Sequence, residues 1–208
     1  MMDNYLQNHW NKIYDTKKPN EVSWTQDIPI TSLNFIFGFN ISKNAEIIDI
    51  GGGDSKLVDF LLENGFENIT VLDISEKAIQ RAKNRLGEKA NKIKWIVTDI
   101  NDFEPQQNYT VWHDRATFHF LTSPEQVSRY ISIANKAVTN FLTIGTFSDS
   151  GPQKCSGLDI KQYTEELLQT ELAYGFEKLK CVTEDHKTPF NTIQNFLFCS
   201  FKKQNQYL

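Results

Sequence analysis

No uninterrupted apolar stretch in the 208 residues approaches the roughly 18 needed to span a bilayer, so nothing reads as a membrane anchor. Positive charge is not in excess. The 22 Lys+Arg face 26 Asp+Glu, a net charge of −4, which argues against a surface that stably coats nucleic acid or anionic lipid, since both ask for clustered cations. Cysteine is scarce: Cys155, Cys181 and Cys199 are odd in number and lack a close pair. Neither a disulfide framework nor a CxxC knuckle can be drawn, and free thiols are expected. His9, His113, His119 and His186 show no HExxH or paired-ligand spacing, so no metal is expected. A G-x-x-x-x-G-K-[ST] loop is absent, which excludes a P-loop nucleotide hydrolase. The start, Met1-Met2-Asp3-Asn4-Tyr5, has neither the basic nor the apolar part of a signal peptide. Together these readings lead to the expectation of a cytoplasmic protein.

A hydrophobic content of 39%, with 12% aromatics, is enough to bury a core. Residues 1–30 are polar with large aromatics set through them, and residues 1–40 read as a helical lead-in or lid. Residues 41–208 read as one globular unit. Glu46 to Ile50 is a β-branched strand ended by glycines, and Ser55 to Asn64 follows with Leu57, Val58, Leu61 and Leu62 at helical spacing. Ile69 to Leu72 is the second strand, after which Ser75 can cap a helix running to Gly87. Ile93 to Val97, Tyr109 to His113 and Phe141 to Phe147 continue the series, with a helix from Pro124 and another from Lys161 to Ala173. Lys178 to Thr183 and Gln194 to Phe201 are joined by a turn too short for a parallel crossover, so they must be antiparallel. The fold class that follows is α/β: a Rossmann-like, doubly wound, seven-stranded mixed sheet with its last strand antiparallel and helices on both faces.

The sharpest motif is Asp49-Ile50-Gly51-Gly52-Gly53-Asp54-Ser55, between the first strand and a helix. Glycines there let the backbone turn tightly and come close to a ligand. Counting from Gly51, the sixth position is Lys56, so the dinucleotide fingerprint G-x-G-x-x-G fails. A carboxylate before the turn repels phosphate and suits a cation. Asp73, at the end of the second strand, can accept both hydroxyls of a ribose. Asp99, after the third strand, can accept from an adenine amine. A ligand with an ammonium, a ribose and an adenine, and no phosphate, satisfies all three: S-adenosylmethionine. From Glu46 to about Phe147 the chain resembles the class I S-adenosylmethionine-dependent methyltransferases, whose acidic-x-Gly-x-Gly pattern matches Asp49 to Gly53. The resemblance implies cofactor contacts at Tyr14, Trp24, Asp49, Gly51, Gly52, Gly53, Asp73, Ile74, Asp99, Ile100 and His113, with S-adenosylhomocysteine as product. Ser55 stands where a third glycine is usual, and the Pro-Gly-Gly turn often found before the fifth strand is absent.

Methyl transfer requires alignment of a nucleophile and a place for its proton. The segment Trp112 to His119, after the fourth strand, is the expected floor of the acceptor site. His113 and Asp114 are the candidates there, and His186, in the loop between the last two strands, is a candidate general base. Asp114 has a structural alternative in a network with Arg115, and His186 one as an exposed turn histidine. His119, on Phe118-His119-Phe120, reads as a core or helix-start residue. Cys155 has nothing nearby to activate it. The lead-in, with Trp10, Tyr14 and Trp24, resembles a subgroup that includes thiopurine- and tellurite-type enzymes and elongation-factor lysine methyltransferases. Phe66 to Thr70 and Arg115 to Phe118 resemble the elongation-factor lysine methyltransferases in particular. His113-Asp114-Arg115-Ala116 lacks the Asn/Asp-Pro-Pro-aromatic motif of nucleobase and glutamine amine methylation. Three functions stay open, in this order: a small-molecule methyltransferase, a protein-lysine methyltransferase, and a cofactor-binding module without turnover.

Overall fold

The structure, a computed structural model, describes residues 4–204. Seven strands form one sheet: β1 (Ile47–Ile50), β2 (Ile69–Asp73), β3 (Ile93–Val97), β4 (Tyr109–Arg115), β5 (Val138–Phe147), β6 (Phe176–Lys187) and β7 (Ile193–Lys203). Their order across the sheet is β3-β2-β1-β4-β5-β7-β6. β1 to β5 pair in parallel, and β7 runs antiparallel to both β5 and β6. The expected seven-stranded mixed sheet is therefore the observed one. Six helices cover it: α1 (Asn4–Thr16), α2 (Ile30–Gly38), α3 (Leu57–Glu63), α4 (Glu76–Leu86), α5 (Pro124–Ala137) and α6 (Glu165–Leu172). Residues 154–159 add a two-stranded hairpin beyond β5.

Side-chain alternation along the strands divides the core in two. Ile47, Ile69, Val71 and Val111 pack with Leu33 and Ile36 of α2, Leu57 and Leu61 of α3, and Ile79 of α4. Ile48, Ile50, Leu72 and Trp112 pack on the other face with Tyr130 and Ala134 of α5 and Leu168 of α6. Helix boundaries follow local chemistry. Ser75 caps α4 by accepting from Ala78 N, and Ser123 with Gln126 forms a capping box at the start of α5, where Pro124 supplies the first turn.

Two expectations need correction. Cys181 and Cys199 are not free thiols. The β6–β7 register sets them opposite one another, and they form a disulfide. Their 18-residue separation in sequence concealed that contact, because it spans a hairpin whose register spacing alone does not fix. The disulfide also removes cysteine usage as a ground for assigning a reducing compartment. The last hairpin is longer than expected, and its turn begins at Thr188, so His186 is a strand residue rather than a turn residue. Among the described residues no helix is long and apolar enough to cross a membrane.

The N-terminal segment is strapped over the carboxyl end of the sheet by polar contacts. Gln7 Nε2 donates to the Ile74 carbonyl at 3.1 Å, and Ser75 Oγ donates to Asn11 Oδ1 at 2.9 Å. Farther along, Arg115 Nη1 donates to the Trp24 carbonyl at 3.0 Å, and His186 Nε2 to the Ser23 carbonyl at 2.7 Å.

Candidate active site

A cavity of about 540 Å³ opens above the carboxyl ends of β1 to β4. Its floor begins at the turn after β1. Gly51 holds φ +64°, the left-handed region that favours glycine. At Gly52 a side chain has no room, since a Cβ would lie 2.6 Å from Asp49 Oδ2 and 2.8 Å from Val71 Cγ1. The turn is thus a cradle of bare backbone beside a carboxylate.

The three acids arrive at the same cavity from consecutive strands, with Ile74 and Ile100 beside them. Asp49 is buried, and His113 Nδ1 donates to its Oδ1 at 2.7 Å. That contact follows from register, because Asp49 and His113 are direct neighbours on the parallel strands β1 and β4. His113 Nε2 is buried without a partner among the described residues. Asp73 accepts from Ser75 N at 2.7 Å, and burial lifts its pKa to about 7. Asp99 is half-buried and accepts from Asn101 N at 2.8 Å.

The lead-in supplies the roof. Trp10, Tyr14 and Trp24 meet edge to face or tilted, with the two indole rings 5.6 Å apart. Trp24 Nε1 donates to the Tyr14 hydroxyl at 3.2 Å, and burial pushes the Tyr14 phenol well above its ordinary pKa. Phe120, 5.2 Å from Trp10, continues this aromatic wall.

Ten of the expected cofactor contacts (Tyr14, Trp24, Asp49, Gly51, Gly52, Asp73, Ile74, Asp99, Ile100 and His113) line this one cavity. Gly53 lies just behind it, where a Cβ would meet Asp73 Oδ2 at 2.7 Å. Two expected catalytic residues are not among the lining. Asp114 is fully buried on the opposite face of β4, where Tyr130 OH (2.8 Å), Thr117 N (3.0 Å) and Phe118 N (3.1 Å) donate to it. Burial lifts its pKa to about 6, and its contacts hold the loop after β4. His186 is buried and spends Nε2 on the Ser23 carbonyl, and burial lowers its pKa. His119 is buried beneath Phe147, as expected of a core residue, and burial drops its pKa to about 3.

Asn101, Cys155 and Arg115 are among the lining residues that were not singled out from sequence as site residues. Asn101 lies two residues beyond Asp99, and Cys155 presents a thiol that burial pushes up to about 12. Arg115 is two residues beyond His113 on the same face of β4, a parity signal that was available in the sequence.

Residues 47–139 match the family model described as "Methyltransferase domain". The chain is 35% identical over 82 residues to a malonyl-[acyl-carrier protein] O-methyltransferase of Anoxybacillus flavithermus, covering 38% of this chain and 30% of that protein. It is also 35% identical over 91 residues to EEF1A lysine methyltransferase 2 of Danio rerio, covering 41% of this chain and 38% of that one. The matches thus span about a third of these relatives. Among solved structures, the N-methyltransferase NodS from Bradyrhizobium japonicum WM9, in complex with S-adenosyl-L-homocysteine, superposes with a TM-score of 0.74 at 17% identity. That match covers 94% of this chain and 98% of that one, and shares the fold.

Proposed function

We propose that the chain is a class I S-adenosylmethionine-dependent methyltransferase and that it methylates a small-molecule acceptor inside the aromatic-roofed cavity. One observation carries the reading: Asp49, Asp73 and Asp99 share a single cavity with a glycine cradle that a Cβ would fill. These donors and acceptors suit the cofactor's chemistry. Asp73 would accept the ribose hydroxyls, Asp99 would accept from the adenine amine, and the backbone after β1 would receive the amino-acid end beside Asp49. When bound, S-adenosylmethionine supplies a methyl group on a cationic sulfur, transferable in line to a nucleophile.

The chain's own residues then have three tasks. Tyr14 and Trp24 present aromatic faces to positive charge and close the site to water. His113, with Nδ1–H donating to Asp49, keeps a lone pair on Nε2 that can take a proton from an acceptor. Asp114 and His186 act as positioning residues: the first fixes the loop carrying Thr117, and the second fixes the strap at Ser23.

A second reading, protein-lysine methylation, is favoured by the 35% identity to a relative named for that activity. The test uses S-adenosylmethionine with a labelled methyl group and host extract split into small-molecule and macromolecular pools, with Asp73→Ala as the binding control. Label in the small pool alone supports the proposal. Label on a protein band reverses the order of the two readings. Retained cofactor binding without transfer to either pool leaves a binding module.

A further inference from the structure

Arg115 lines the cavity at the end of β4, two residues beyond His113. Of the hydrogen-bond donors on its guanidinium, one is used, from Nη1 to the Trp24 carbonyl. Its Nε and Nη2 are buried and have no hydrogen-bond partner among the described residues. The Phe196 ring lies 4.6 Å below the guanidinium carbon. Glu184, the acid with the largest pull on Arg115, is itself held by Gln26 Nε2 at 3.0 Å and forms no salt bridge with it. Burial lowers the pKa of Arg115 to about 10, so it remains a cation at neutral pH. Of the other cations lining the cavity, Lys56 pairs with Asp27 at 2.8 Å, Arg85 with Asp59 at 2.9 Å and Arg81 with Asp54 at 3.9 Å, whereas Lys18 forms no ion pair among the described residues.

A buried charge that no carboxylate bonds directly is costly, and the cost is relieved when an anion arrives at its free donors. A guanidinium fork matches the two oxygens of a carboxylate in distance and plane. An ammonium at the same place would meet like charge. The neighbouring walls, Trp10, Trp24 and Phe120, are aromatic and suit an apolar or planar body. We infer that Arg115 is a specificity-determining residue that binds the carboxylate of an anionic small-molecule acceptor. The inference rests on the methyl-transfer reading of the cavity and narrows it, because it selects against a protonated lysine.

Three probes of one shape test it: phenylacetate, phenylacetamide and phenethylamine. Each is titrated by tryptophan fluorescence into the full chain saturated with S-adenosylhomocysteine, whose own binding is measured first by calorimetry. Phenylacetate should bind at least tenfold more tightly than the other two. Arg115→Gln should bring it down to the amide while S-adenosylhomocysteine binding stays within about threefold. Arg115→Lys, which keeps the charge and loses the fork, should fall between. If Arg115→Gln loses the product through release of the Trp24 carbonyl, the Lys variant decides, and an unchanged carboxylate preference in it overturns the role of the fork. Equal binding of the three probes to wild type, no binding of any, or a preference for the amine overturns the inference while leaving the methyltransferase reading intact. Failure of wild type to bind S-adenosylhomocysteine overturns both.

Discussion

Replacing Asp73 by asparagine separates the work this carboxylate does for a ligand from what it costs the free protein. Burial raises its pKa from 3.8 to about 7, against the lowering pull of the Ser75 and Gly53 amides and with a further rise from the charge on Asp49. A carboxyl group whose pKa rises on folding holds its proton more tightly in the native state. Its stabilising contribution is complete below about pH 4 and is lost as the pH climbs through 7. Ionisation of Asp73 above pH 7 therefore costs the free fold roughly 4 kcal/mol, of which roughly 3 kcal/mol accrues between pH 5 and 8.

Asparagine keeps an oxygen for Ser75 N, loses the Gly53 amide, and never ionises. The lost bond is a fixed offset of about 1 kcal/mol at every pH. The informative quantity is the pH dependence of the difference between the two proteins. Asp114, with a pKa of about 6, titrates in both and cancels. Urea unfolding without cofactor should show Asp73→Asn gaining on wild type by roughly 3 kcal/mol from pH 5 to pH 8. Calorimetry at pH 8 should show S-adenosylhomocysteine binding at least tenfold more weakly to the variant. Stability curves that stay parallel across this range would refute the claim that Asp73 is a buried acid held ready for a ligand.

The remaining predictions concern the roof, the cradle, the β4 loop and the terminal hairpin. Trp24→Ala removes the contact to Trp10 and the bond to Tyr14, and should weaken S-adenosylhomocysteine binding about tenfold by calorimetry with little change in urea midpoint. Gly52→Ala forces a methyl against Asp49 and Val71 and should abolish measurable product binding while the circular dichroism spectrum is retained. Tyr130→Phe leaves Trp112 Nε1 without its acceptor at 2.8 Å and Asp114 without one donor. It should cost roughly 2–4 kcal/mol in urea unfolding. Reduction of Cys181–Cys199 opens a link across 18 residues. By loop entropy that is worth about 3 kcal/mol, and scanning calorimetry should show the melting temperature falling by roughly 6–12 °C.

The sheet was legible because its signals are local. Each strand is a short β-branched or aromatic run, α4, α5 and α6 each start at a Ser or Thr cap, and the turn between the last two strands is too short to cross over. The three acids were legible because each sits at the end of such a strand, and the end of a parallel strand is where an open α/β sheet binds. Contacts set by register between distant segments were not legible, and the disulfide is one of them. His186 is another: its partner, the Ser23 carbonyl, lies 163 residues earlier, and no periodicity links the two.

Asp114 differs from these, because the sequence did contain the answer. Successive residues of a strand face opposite sides, so His113 and Asp114 could not both face one site. Once Asp49 places His113 above β1, Asp114 must point with Trp112 toward α5, where Tyr130 meets it. The residue that shares the face of His113 is Arg115. The same parity that turns the carboxylate away from the cavity brings the guanidinium into its lining. On the proposed reading, an acceptor entering there would meet a buried cation on β4 in place of the acid that a reading of neighbouring residues suggests, and that difference in charge would separate a carboxylate substrate from a lysine.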